Sequence, residues 1–184
     1  MTPAPMKFCP RCGSDGYEYR DSKYWYCPSC FFTYFHNVAV SASVIVAVDG
    51  SVLMLCRAKD PQKGMLSLPG GFVDPDERAE DAAVRECREE TGLAAAGLRF
   101  VGSWPNDYAY KDVCYKTCDL YFSATIGSGL ADMVLDPREA ASWRLVSAEE
   151  LDTAPIAFES HRRAIRAFFE TTHSALPTAS SAGL

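Results

Sequence analysis

Apolar and small residues run almost without interruption through VAVSASVIVAV, residues 38–48, and a second apolar run, VLMLCR, covers 52–57. Asp49 and Gly50 stand between them, residue types that accept the positive φ angles of a tight turn, so the two runs are predicted as an antiparallel hairpin. Three later stretches rich in β-branched and aromatic residues, LRFVGSW (98–104), VCYKTCDLYFSATI (113–126) and SWRLV (142–146), predict further strands. The period shifts from two to 3.6 in two places. Residues 77–91 contain neither Gly nor Pro, Ala79, Ala82, Ala83, Val84 and Cys87 supply an apolar stripe, and Gly92 marks a left-handed stop, which predicts a helix. A second helix is predicted over 156–171 with Phe158, Ile165, Phe168 and Phe169 inward, and Ser147 with Glu150 forms a capping-box start ahead of it. The stretch AKDPQKGMLSLPGG, 58–71, is punctuated by Pro61, Gly64, Pro69, Gly70 and Gly71 and reads as a loop. A hairpin, a helix, more strands and a last helix together predict an α/β domain with a mixed sheet packed between helices.

Residues 1–36 follow neither period. Cys, Pro, Gly and Tyr are dense there, and the cysteines form two pairs, Cys9 with Cys12 in CPRC and Cys27 with Cys30 in CPSC, separated by 14 residues. Each pair presents two sulfurs to one ion, and four thiolates close a tetrahedral zinc site with no open position, so the segment is predicted as a small four-cysteine zinc ribbon with structural Zn2+. It is too short to fold around a core of its own. Cys56, Cys87, Cys114 and Cys118 lack this spacing and read as buried thiols. The domains expected are therefore the ribbon over 1–36, the α/β domain over 37–173, and a disordered tail, SALPTASSAGL, over 174–184.

Composition narrows the function. With 184 residues and 48% hydrophobic content the chain can fill a real core, but a net charge of -6 gives no general attraction for polyanions. A phosphate compound would have to be drawn in by metal ions and a few placed cations. Within 1–36, Lys7, Arg11, Arg20 and Lys23 are nearly balanced by Asp15, Glu18 and Asp21, which argues against nucleic-acid binding. The aromatic residues Tyr17, Tyr19, Tyr24, Trp25, Tyr26, Phe31 and Phe32 read instead as packing of the ribbon onto the main domain or onto a second copy, a homodimer. The opening MTPAPMKF has no apolar segment followed by a cleavage site, and no run of 18 apolar residues occurs, so a cytoplasmic protein without a membrane partner is expected.

The strongest chemical signal is GGFVDPDERAEDAAVRECREETGL, 70–93. Glu86 and Glu90 lie one helical turn apart with Glu89 beside them, so three like charges share a face. A divalent cation would relieve their repulsion, and Mg2+ (or Mn2+) is held by a few carboxylates together with phosphate oxygens. The spacing runs from Gly71 through Glu77 to Arg85, Glu86, Cys87, Glu89, Glu90, Thr91, Gly92 and Leu93, a pattern whose chance frequency is on the order of 10⁻⁹ per starting position. It resembles the signature box of the Nudix hydrolases, with a small Cys87 where a larger aliphatic is usual, and the resemblance extends over 38–169. It implies an α/β/α sandwich and a hydrolase of P–O–P linkages. It further implies that Gly71 offers a carbonyl to the metal, that Glu86, Glu89 and Glu90 are its carboxylate ligands, and that Glu77 and Arg85 pair to tie loop to helix. Glu139 is the expected additional acid, with Asp136 and Asp132 as alternatives, and Glu89 or Glu139 is the candidate general base.

A ribbon ahead of this box is similar to the architecture of NADH pyrophosphatases. Those proteins carry, downstream of the box, a segment rich in Gln, Trp, Phe and Pro ending in Ser; here the stretch reads GSWPNDYAY, and only Ser103, Trp104 and Pro105 match. The expected substrate is thus a nucleoside diphosphate linked to another moiety, such as NAD(H) or ADP-ribose, with the leaving group open. Trp104, Tyr108 and Tyr110 are candidates to stack a base, and Arg57 and Lys63 to contact phosphate. The rival reading is a non-catalytic nucleotide sensor or interaction module of the same fold, whose mark would be a broken box.

Overall fold

A computed structural model describes residues 6–111, 113–127 and 129–174. The tail expected over 174–184 lies outside the described residues except for Ser174, which closes the last helix. The chain divides into two compact units, residues 1–39 with 107–117, and residues 40–106 with 118–184.

The first unit holds a three-stranded antiparallel sheet of β1 (Glu18–Arg20), β2 (Tyr24–Tyr26) and β3 (Thr33–Phe35) in that order. Trp25 on the middle strand is buried against Tyr17 and Tyr19, ring centroids 5.5 and 5.1 Å away, with Cys9 and Cys27 completing a small cluster. Aromatic area there replaces the aliphatic core that so short a segment cannot build.

A seven-stranded sheet, ordered β10 (Ala140–Ser147), β5 (Ser51–Arg57), β4 (Ala39–Val48), β9 (Val113–Ile126), β8 (Ala95–Tyr110), with β6 (Leu66–Ser67) on β5 and β7 (Gly70–Phe72) on β4, organises the second unit, apart from the stretch 107–117 of β8 and β9 and Ala39 of β4, which fall in the first. The predicted hairpin forms: Asp49 and Gly50 take φ of 49° and 78°, and Val48 pairs with Ser51. Along β4, Ile45 joins one apolar cluster with Ala164, Ile165 and Phe169 of α2 (Glu159–Ser174). Its neighbours Ala42, Val44 and Val46 join another with Ala82, Ala83 and Cys87 of α1 (Ala79–Thr91). Alternate side chains of one strand thus face different helices, which is the mixed-sheet sandwich that the pattern predicted.

Helix α1 ends as predicted, with Gly92 at φ 71° and its amide on the Arg88 carbonyl. It begins two residues late, because Glu77 turns back to accept the Asp74 amide at 3.0 Å. Ser147 and Glu150 do form a capping box, 3.1 and 3.4 Å, but it closes a turn before Pro155 rather than starting α2. Proline disfavours helix at the residue before it and cannot donate, so α2 starts afresh at Glu159. The loop 58–71 is also more ordered than expected. Leu66 and Ser67 pair with Cys56 and Leu55, and Gly70 and Gly71 with Ser43 and Ala42, strands too short to show a period. Of the four other cysteines Cys87 is buried, whereas Cys56, Cys114 and Cys118 are partly exposed. On β9, Thr117, Asp119 and Tyr121 are buried on one face, while the alternate positions Leu120, Phe122 and Ala124 pack into the cluster under α1, and Cys114 and Cys118 precede that packed stretch and stay partly exposed. Among the described residues, no helix is long and apolar enough to cross a membrane.

Candidate functional site

Strand β7 lies against β4 on one side and against α1 on the other, and its two glycines are what permit both approaches. Gly70 has φ 153°, and a Cβ there would fall 2.4 Å from Ser43 Oγ and 2.5 Å from the Ala42 carbonyl oxygen. At Gly71 a Cβ would lie 2.5 Å from the Glu86 carboxyl. The Gly70 amide donates to Glu90 Oε2 at 3.1 Å. Backbone therefore touches carboxylate with no side chain between.

Arg85 fixes the frame around these acids. Its Nε and Nη2 donate to the two oxygens of Glu77 at 2.8 and 2.9 Å, its Nη1 to Glu86 at 2.7 Å and Glu89 at 3.4 Å, and Nη2 also to the Phe72 carbonyl at 3.2 Å. Such a fork ties β7, the following loop and the helix face together. Its guanidinium, with help from the Asp74 amide, holds Glu77 down to about 2. Glu86 moves the other way: burial raises it despite Arg85, and the charges of Glu89 and Glu139 add to the rise. Glu90 is pushed up to about 8, first by burial, then by Glu86 and Glu139, against the opposing Gly70 amide. A divalent cation would remove both penalties, and an oxygen-only donor set suits Mg2+ or Mn2+. Glu89 points outward, with its side chain 61% exposed.

Glu139, just before β10, pairs with Lys59 at 2.5 Å, and its backbone accepts the Ala58 amide at 2.8 Å. Its charge is felt at both Glu86 and Glu90. Asp136 is occupied by Arg138, which with its own amide draws the carboxyl down to about 2, and Asp132 sits exposed in a short 3-10 turn, Leu130–Asp132. Of the candidate substrate residues, Arg57 lies near enough for its charge to be felt at Glu90. Arg57 spends its Nε on the Pro61 carbonyl at 2.7 Å and lies over the Phe158 ring, while Lys63 is exposed. Trp104 is half-buried, edge-on to Tyr121 at 5.6 Å. Tyr108 and Tyr110 fall in the segment 107–117 that belongs to the first unit, and Tyr110 is 41% exposed.

Three residues near this site carried no signal in the sequence. Lys59 meets Glu139 across 80 positions, and buried His161 accepts the Leu68 amide on Nδ1 at 3.0 Å across 93. Buried Asp119 accepts from Ser41, Ser160 and Tyr121. Only long-range folding reveals such pairings.

The four cysteines of the first unit come together. The sulfurs of Cys9, Cys12, Cys27 and Cys30 all lie within 4.8 Å of one another, with Cys9 to Cys30 at 3.7 Å and Cys12 to Cys27 at 3.6 Å. Those separations are far beyond a disulfide bond of about 2.05 Å. They match the ~3.8 Å edge of a tetrahedron with zinc–sulfur bonds of about 2.3 Å. Burial would raise the Cys27 thiol, but the Cys30 and Ser29 amides and the thiols of Cys12 and Cys30 bring it down to about 6, while burial and the thiols of Cys12, Cys27 and Cys9 push Cys30 up to about 12, so it is the sulfur geometry that fits zinc. Among the described residues no acidic group is gathered as tightly as these sulfurs.

The family model described as the NUDIX domain matches residues 36–168. Among curated proteins, the NAD-capped RNA hydrolase NudC of Pseudomonas putida (strain GB-1) is 30% identical over 151 residues, 81% of this chain and 51% of that one. That of Escherichia coli O9:H4 (strain HS) is 30% identical over 139 residues, 74% and 51%. The chain spans about half the length of these relatives. A crystal structure of a NUDIX hydrolase from Nitrosomonas europaea superposes with TM-score 0.71 and 23% identity, covering 94% of this chain and 96% of the other. A bifunctional NMN adenylyltransferase/ADP ribose pyrophosphatase from Francisella tularensis, complexed with AMP and manganese ion, gives 0.56 at 22% identity, covering 74% of this chain and 42% of the other. At these identities the two structures speak to the fold.

Proposed function

The chain belongs to the NUDIX family, and from that premise we propose that it is a Mg2+-dependent hydrolase cleaving the pyrophosphate bond of a nucleoside diphosphate linked to another moiety. The observation that carries this reading is the pair Glu86 and Glu90, enclosed beneath Gly70 and Gly71 and both made reluctant to stay ionised alone. In this reading Glu86 and Glu90, with the Gly71 carbonyl, would hold Mg2+ (or Mn2+), and the more exposed Glu89 would hold a second ion or its water. When bound, the metal neutralises the diphosphate and makes its water a stronger nucleophile. Arg85 and Glu77 keep the acidic face in register with the glycine strand. Glu139, or Glu89, takes the proton of the attacking water, and Glu139 must first leave Lys59, which is then free to meet a phosphate oxygen. Arg57, whose Nε is held by the Pro61 carbonyl and whose charge reaches Glu90, and the exposed Lys63 are the cations that would meet the phosphates. Trp104 offers the remaining face of its ring to a base. The cysteine cluster would hold Zn2+ and act as a structural staple, and a homodimer is the assembly expected.

The relatives' names favour NAD-like ends as substrate and add RNA to the candidates. Incubating the purified protein with Mg2+ and NADH, NAD+, ADP-ribose, FAD, diadenosine polyphosphates, nucleoside triphosphates and an RNA oligomer bearing a 5′ NAD cap tests both. Release of a mononucleotide or of 5′-monophosphate RNA is expected. Binding across the panel with no product overturns the hydrolase reading in favour of a sensor.

A further inference from the structure

The glycine strand is held from a second direction, by a helix that contributes nothing to the acidic cluster itself. His161, in the first turn of α2, is buried between Tyr121 and Phe158, ring centroids 5.5 and 5.3 Å away. Its Nδ1 accepts the Leu68 amide at 3.0 Å, which in a neutral ring leaves the proton on Nε2. Pro69 has no N–H, and the next amide, that of Gly70, donates to Glu90. Two consecutive donors are thus claimed from opposite layers, one by α2 and one by α1.

The anchor behind His161 is itself fixed. Asp119, buried on β9, accepts from Ser160 Oγ at 2.8 Å, from Ser41 Oγ at 2.7 Å and from the Tyr121 hydroxyl at 3.4 Å. Ser160 adjoins His161, and Ser41 is the β4 residue opposite Phe72 on β7. Both ends of the segment 68–72 are therefore tied to one buried carboxylate, one through α2 and one through β4. A buried charge with its hydroxyl donors is a costly way to fill a core that an apolar side chain could fill, but it fixes the position of three elements at once. At Gly71 the clearance is so small that a Cβ would already strike Glu86, so any slack in the strand is felt at the carboxylates.

We propose that His161 is a positioning residue: through the Leu68 amide it sets how Gly70 and Gly71 lie over Glu86 and Glu90, and thereby the affinity of the acidic cluster for a divalent ion. The inference rests on the hydrolase reading for its biological meaning, but its test does not require turnover. Groups that orient a metal's ligands from behind typically change metal affinity 10- to 100-fold when removed.

The experiment measures Mn2+ dissociation constants by electron paramagnetic resonance on the full chain without nucleotide, alongside melting temperatures. His161→Leu keeps apolar bulk and removes the acceptor; His161→Asn places an oxygen as many bonds from the backbone as Nδ1. Mn2+ binding is expected to weaken about 10- to 100-fold in His161→Leu and to return to within about threefold of the parent in His161→Asn. Ile165→Ala, a core truncation in the same helix, is the control: comparable loss of melting temperature with Mn2+ affinity kept. Unchanged affinity in His161→Leu, failure of His161→Asn to restore it, or an equal loss in Ile165→Ala overturns the proposal. Should His161→Leu not fold, amide exchange decides. In the parent, Mn2+ is expected to slow exchange at Leu68 and Gly70 together; slowing at Gly70 alone overturns it. A parent that binds Mn2+ yet cleaves nothing in the substrate panel removes the hydrolase reading and leaves this one standing. An active enzyme with metal affinity indifferent to residue 161 does the reverse.

Discussion

The sulfur cluster and the oxygen cluster are assembled in opposite ways. Four thiols arrive in two local pairs, and every sulfur lies within 4.8 Å of the rest. The carboxylates come from α1 and from Glu139 ahead of a distant strand, and among the described residues no three acids gather as the four sulfurs do. A closed soft-donor set suits an ion taken up once, as the segment folds, whereas an open oxygen set leaves room for waters and exchanging phosphates. Donor spacing thus separates a cluster whose ion would help its unit fold from one that only a finished fold brings together.

The contrast is broken most severely by removing the thiolates. Cys27→Ser, or a strong zinc chelator, is expected to abolish the near-UV circular dichroism of Trp25 and its stacked Tyr17, since a structural zinc supplies on the order of 10–16 kcal/mol of folding free energy. Survival of that signal after zinc is stripped would mean that the aromatic cluster alone suffices. On the oxygen side Glu86→Gln or Glu90→Gln is expected to lower turnover at least about 100-fold with the melting temperature kept or raised, because an amide removes the repulsion that metal would otherwise relieve. Full activity in Glu90→Gln takes that residue out of the mechanism. Gly71→Ala should cost less, roughly 1–3 kcal/mol of stability from overpacking against Glu86, together with weaker Mg2+ activation, both read from melting curves and metal titrations.

Acid sharpens the same contrast through two separate windows. Glu77 titrates near 2 in the fold against about 4.5 unfolded, so its stabilisation is complete above pH 4.5 and fades as pH falls toward 2. His161 is brought down to about 4, chiefly by burial and partly by Arg57, with Asp119 opposing; it must fold neutral, so its contribution is present above about 6.5 and fades toward pH 4. Glu77→Gln is expected to flatten the lower window of a stability–pH profile and His161→Asn the upper; a change in the wrong window contradicts the assignment. The smallest effect belongs to Lys59→Ala. Its ion pair with Glu139 is solvent-exposed and contributes about 0–1 kcal/mol, so the melting temperature should hardly move.

The ribbon was legible because its chemistry is local: CPRC and CPSC state their geometry within a few residues each. So was α1, where Gly92 and the alanine stripe agree. The strands β6 and β7 were not, since two or three residues carry no period and their identity comes from Cys56, Leu55, Ser43 and Ala42 across the fold. The capping box at Ser147 forms as its spacing predicts but closes a turn rather than opening α2, because Pro155 intervenes. At the acidic site Glu86 and Glu90 could be read from spacing. Lys59, Asp119 and His161 could not, because a residue whose partner lies tens of positions away looks like any other charged or polar residue until the chain has closed.

Gly70 has a consequence for how this protein can change over generations. There β4 and β7 meet backbone to backbone, with the Ser43 Cα 2.6 Å from where a methyl would begin, so no rotamer of any neighbour makes space. An exposed position such as Lys63 can drift one codon at a time. Position 70 has no adjacent step to take, and in a saturation library it should return a single amino acid long after the residues around it have diversified.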